Sequence, residues 1–227
     1  MAEFGRLALH TWTLDTTPLA EAIAAARAGG FDAMELRRID FTRCFDQGLS
    51  NGAVLDLIRA GGLPVCSLGC EYGWLFAKGE ERERLFAVLK ETCANARALN
   101  CPQIMTAPGP LDGPMAVAID NLKRGADLIG EAGLTLSIEF NFQHPVINTI
   151  ARARELVNGA GRKNAGILLD AYHLERTGAG GRGFEDVALE EIAAFQYSDV
   201  PASADPPLIE RLVPGPVSYT HLTLPTK

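Results

Sequence analysis

The chain has 227 residues, 47% hydrophobic and 22% charged, with a formal charge of −7, which is material for one sizeable core in a single domain. The acidic balance and the lack of any Lys/Arg-rich run argue against a nucleic-acid partner, and no apolar run approaches the roughly 20 residues that span a bilayer, so no membrane partner is expected either. Five cysteines, an odd number without CxxC pairing, point to free thiols rather than a disulfide framework or a zinc-thiolate site.

In chain order, residues 1–6 lead directly into a strand-like segment with no signal-peptide core, so a cytoplasmic protein is expected. Apolar strand-like runs then recur at residues 7–10, 33–36, 64–68, 103–107, 135–140, 166–170 and 193–198, spaced by about 30 residues. Between them lie helical patterns with i, i+3, i+4 apolar spacing, for example residues 19–27 and 81–99. Three helices end on a shared formula, Arg27-Ala-Gly-Gly-Phe31, Arg59-Ala-Gly-Gly-Leu63 and Glu131-Ala-Gly-Leu134, in which glycine past the helix takes the left-handed conformation and the next strand starts at once. Strands alternating with helices imply βαβ crossovers and a parallel sheet.

Residues 217–227 break the composition of everything before them; read as codons they resemble a transposon-end adapter used in sequencing libraries. They are treated as a translated adapter, which leaves residues 1–216 as the domain and removes His221 as a candidate ligand. Seven strand–helix units fit those residues, where a closed barrel of eight takes about 250. The expected fold is therefore α/β, a (β/α)8 TIM barrel lacking its last βα unit, with a doubly wound sheet as the structural alternative.

In such a barrel, chemistry belongs at the C-terminal strand ends. The fifth strand ends in Glu139, followed by Asn141 and His144; the sixth ends in Asp170, followed by His173; the seventh carries Gln196. A carboxylate ending an apolar strand is costly unless it is paired or binds a cation. An oxygen-rich set favours a hard divalent ion, Mg²⁺ or Mn²⁺. Helix capping or pairing with arginine is the alternative for each acid alone. Glu35 ends the second strand, and His10 ends the first, where it reads as barrel filler. Gly178-Ala-Gly-Gly-Arg-Gly183 fits GxGxxG but starts too late after its strand to open a helix, and reads as a loop over the site.

Leu9-His-Thr-Trp12, Ala28–Leu36, Ser137-Ile-Glu139-Phe-Asn141, Leu169-Asp170-Ala-Tyr-His173, Phe195-Gln196-Tyr-Ser-Asp199 and Arg211-Leu-Val-Pro-Gly215 together resemble the sugar phosphate isomerase/epimerase family, of the xylose isomerase-like TIM barrel superfamily. The resemblance implies one divalent metal, Mn²⁺ or Mg²⁺ with Co²⁺ as a further option, held by Glu139, Asp170 and Gln196 and by a strand-eight Glu that this sequence lacks. It also implies substrate contacts from His173, Arg211, Glu71 and Trp74; a solvated arginine, a helix-capping Glu and a packing Trp are the plainer readings of the last three. Gln at position 196, where many epimerases of the family carry His, is shared with its hydroxypyruvate isomerases and 3-dehydroshikimate dehydratases.

The expected activity is metal-dependent isomerisation or epimerisation of a small polyhydroxylated carbonyl compound through an enediolate, with Glu139 or the missing strand-eight Glu taking the α-proton and His173 stabilising the intermediate. A dehydratase of the 3-dehydroshikimate or inosose type would use the same residues. An apurinic-site endonuclease shares the superfamily fold, but it needs a histidine-rich multi-metal site, and the chain has only four histidines. A binding barrel without catalysis is the remaining alternative.

Overall fold

The computed structural model describes residues 7–178 and 183–198, and within them seven strands form one parallel sheet in sequence order. The strands are β1 (Ala8–His10), β2 (Ala33–Leu36), β3 (Val65–Gly69), β4 (Gln103–Thr106), β5 (Thr135–Glu139), β6 (Ala165–Asp170) and β7 (Ile192–Gln196). Helices α1 (Leu19–Ala28), α2 (Arg38–Asp46), α3 (Asn51–Gly61), α4 (Gly79–Ala98), α5 (Met115–Glu131), α6 (Ile150–Ala160) and α7 (Ala171–Arg176) occupy the crossovers, with single 3₁₀ turns at Thr11–Leu14 and Leu189–Glu191. A sheet in which every strand pairs in parallel with its sequence neighbour and curls on itself is a barrel with seven of its eight units, not a doubly wound sheet, whose strand order would reverse. Arg211, residues 179–182 of the glycine-rich loop and the segment 217–227 lie outside the described residues.

Register explains both faces of the sheet. His10 aligns with Glu35, Glu35 with Ser67, Gly69 with Met105, Met105 with Ser137, Glu139 with Leu168 and Asp170 with Gln196. Because side chains alternate along a strand, these residues share one face. The other face carries Leu36, Leu68, Ile104, Leu136, Ile138, Ile167 and Leu169, all buried in the core with the helices. That outer layer holds most of the hydrophobic mass, while the inner face mixes polar side chains with Met105 and Leu168.

Two side-chain hydrogen bonds show how far the sheet curls. Gln103 Nε2 of β4 donates to the Ala193 carbonyl of β7 at 3.0 Å, and Gln196 Nε2 of β7 donates to Glu35 Oε1 of β2 at 2.9 Å. The helix-ending formulas behave as expected from sequence, with Gly30, Gly62 and Gly133 at φ of 77°, 74° and 75°. Gly61 has a different task, since a Cβ there would lie 2.4 Å from Ile23 Cγ2 where α3 crosses α1.

Candidate metal centre

Glu139 ends β5, and Asp170 ends β6 and caps α7. Asp170 Oδ1 accepts the Tyr172 N–H at 2.8 Å, which fixes its carboxylate and leaves Oδ2 3.9 Å from His173 Nε2, one helical turn along. His173 Nε2 also stands 3.3 Å from Glu139 Oε1. The imidazole is held among Phe140, Phe142 and Tyr172, with ring centroids at 6.1, 5.8 and 5.3 Å. Its Nδ1 lies 3.5 Å from the Phe142 N–H as acceptor, an arrangement that suits the tautomer with its proton on Nε2, toward the carboxylates. One ligand atom from each of Glu139, Asp170 and His173 lies within 4.8 Å of the others, and all three residues are buried.

Glu35 adds a third buried carboxyl from β2. Burial pushes it up to about 7, the hydrogen bond from Gln196 opposes this, and the charges of Glu139 and Asp170 raise it further. Carboxylates gathered out of water at one end of a barrel are a setting in which a cation can be held. The donor chemistry fits a divalent cation: carboxylate oxygens from Glu139 and Asp170, with the amide oxygen of Gln196 on the neighbouring strand, aligned with Asp170.

The other expected site residues fall elsewhere. Trp74 is fully buried, with Nε1 donating to Thr106 Oγ1 at 3.0 Å and to Cys70 Sγ at 3.3 Å. Its ring meets Phe86 edge-on and fills the space above Gly125, where a Cβ would lie 2.6 Å away. Trp74 thus packs between the strands and helices α4 and α5, the plainer of the two readings its position allowed. Glu71 is partly exposed and pairs with Arg84 of α4 at 2.7 Å. His144 is likewise structural: its Nδ1 accepts the N–H groups of Val146 and Ile147 at 3.1 and 2.9 Å, and its Nε2–H donates to the Leu111 carbonyl at 3.1 Å.

One constellation escaped the sequence reading. Arg37, just past β2, donates from Nε to Thr11 Oγ1 at 3.0 Å and from its amino groups to Asp40 Oδ1 at 2.9 Å and Asp15 Oδ1 at 2.5 Å. Thr11 Oγ1 and the Arg37 N–H both donate to Asp40 Oδ2, at 2.5 and 2.7 Å. This buried network ties the turn after β1 to the start of α2. Its one sequence trace is the Arg37-x-x-Asp40 spacing at a helix start.

A single parallel barrel with paired carboxylates at its C-terminal strand ends defines a class, and comparison with known proteins gives the family. The model of the Xylose isomerase-like TIM barrel family matches residues 23–222, and the chain belongs to that family. The 3-dehydroshikimate dehydratase of Pseudomonas aeruginosa is 28% identical over 196 residues, covering 82% of this chain but 29% of that protein, so the chain spans less than a third of that relative. The inosose isomerase of Halalkalibacterium halodurans is 20% identical over 197 residues, covering 82% of this chain and 69% of that one. Among solved structures, the IOLI protein with a bound zinc atom superposes with a TM-score of 0.79 at 19% identity, covering 93% of this chain and 80% of that one.

Proposed function

We propose that this chain is a divalent-metal-dependent isomerase or epimerase of small polyhydroxylated carbonyl compounds. The observation that carries the reading is the convergence of Glu139, Asp170 and His173 within 4.8 Å at the ends of β5 and β6. Glu139, Asp170 and the Oε1 of Gln196 would hold the ion, with Mn²⁺ or Mg²⁺ best suited to this oxygen set. When bound, the ion supplies Lewis-acid polarisation of the substrate's carbonyl. Glu139 takes the proton α to that carbonyl and returns it to the neighbouring carbon for isomerisation; epimerisation requires delivery to the opposite face. His173, with its proton on Nε2, donates to the oxygen on which negative charge develops, and the buried surroundings strengthen that hydrogen bond. Arg211 and Glu71 are proposed as substrate contacts at the rim. The five cysteines, all free, suit a cytoplasmic setting.

A second reading is favoured by the similarity to the P. aeruginosa dehydratase. The same enediolate, formed next to a carbon bearing a hydroxyl, expels that hydroxyl as water, with His173 as the acid. Incubation of the Mn²⁺-loaded protein with hydroxyketones in D₂O, followed by NMR, separates the outcomes. Deuterium at the α-carbon with an intact hydroxyl count supports isomerase or epimerase, while loss of water with a new conjugated absorbance supports the dehydratase. Glu139→Gln should abolish exchange in either case; exchange undiminished in that variant would overturn both readings.

A further inference from the structure

We propose that Glu35 is a positioning residue that sets which end of the Gln196 amide is presented to the cation site. The two ends of a glutamine amide are nearly equal in size and opposite in polarity: only Oε1 can ligate a cation, because the NH₂ group directs protons outward. Nothing in glutamine itself selects the useful end. Here Nε2 donates to Glu35 Oε1 at 2.9 Å, and Glu35 is only 9% exposed, so water seldom competes for that acceptor. Oε1 is the end left over, on a side chain whose register partner is Asp170.

Glu35 lies outside the group of Glu139, Asp170 and His173, whose ligand atoms are mutually within 4.8 Å, so it braces the amide rather than joining the ligands. The bracing residue comes from β2 and the braced one from β7, which makes the far wall of the barrel a determinant of ligand geometry. This inference rests on the proposed metal-binding reading of Gln196.

Mn²⁺ titration followed by EPR on the 227-residue chain tests it. Glu35→Met and Glu35→Gln both remove the charge, but only Gln keeps a carbonyl acceptor for Gln196. We expect Glu35→Met to bind Mn²⁺ about tenfold more weakly than Glu35→Gln, the usual scale for outer partners of a metal ligand. In a Gln196→Ala background the two variants should bind equally. Equal affinity with Gln196 present, or an undiminished tenfold difference in its absence, would overturn the positioning role. Asp170→Asn serves as the control for the metal site itself. If the parent chain binds no Mn²⁺, or Asp170→Asn binds as well as the parent, the metal reading fails and the role of Glu35 fails with it. Far-UV circular dichroism confirms that each variant is folded.

Discussion

At the scale of single residues, the most consequential side chain away from the candidate site is Arg37. Its guanidinium is 8% exposed and meets Asp40, itself 7% exposed, at 2.9 Å. Arg37→Ala leaves the Asp40 carboxylate buried without its cation, a change that costs about 3–5 kcal/mol. Urea denaturation should show that loss, and one under about 1 kcal/mol would mean that Asp40 is not held by Arg37. Asp15 reports the same network from its exposed side, where hydrogen bonds from Arg37 and then Arg43 hold its carboxyl below the ordinary value of 3.8. A carboxyl lowered on folding stabilises the protein above its unfolded value and ceases to as pH falls through the folded one. Asp15→Asn should accordingly melt below the parent at pH 6–7, with the gap closing as pH falls under 3.8; a gap constant down to pH 3 would contradict the assignment. Of these residues the sequence shows only that charges flank a strand end. Strand-ending acids such as Glu139 and Asp170 stand out because a carboxylate interrupts an apolar run, whereas Trp74 after a strand reads equally as pocket wall or as packing.

At the scale of elements, periodicity locates all seven strands to within a residue or two, because each is an apolar run closed by glycine, proline or a polar residue. It does not reveal that β2 and β3 are joined by two helices, α2 and α3, separated by a turn in which Gly48 takes φ of 86°. The turn is polar and short, and either side of it reads as one continuing helix. The packing of α3 on α1 gives a test with a definite sign. Gly→Ala inside a helix ordinarily stabilises by about 1 kcal/mol, but at Gly61 the new methyl would meet Ile23 Cγ2 at 2.4 Å. Gly61→Ala should therefore lower stability by about 1–3 kcal/mol, the range for an overpacked contact. The double variant Gly61→Ala with Ile23→Val should recover part of that loss; a stabilised single variant would show that the helices are free to separate.

For the whole molecule, the barrel and its polar end are legible because strand–helix alternation and strand-end acids are local patterns. The bond between Glu35 and Gln196 joins positions 161 apart and leaves no mark on either sequence neighbourhood. That separation bears on the order in which the chain folds. Among the described residues every strand pairs with its sequence neighbours alone, so the sheet can grow by adding one unit at a time, each closing a loop of about 30 residues at modest entropic cost. The bonds from Gln103 to Ala193 and from Gln196 to Glu35 span 90 and 161 positions and cannot form until that growth is nearly finished. We expect them to act as latches set after the rate-limiting barrier. Gln103→Leu should then accelerate unfolding about fivefold, the effect of one hydrogen bond worth about 1 kcal/mol, and leave the refolding rate unchanged in stopped-flow measurements. A slowed refolding arm would place the curling of the sheet before the barrier instead. If the latches do close last, the proposed cation site is the final part of the molecule to form, and a nascent chain would acquire it only once its far strands have met.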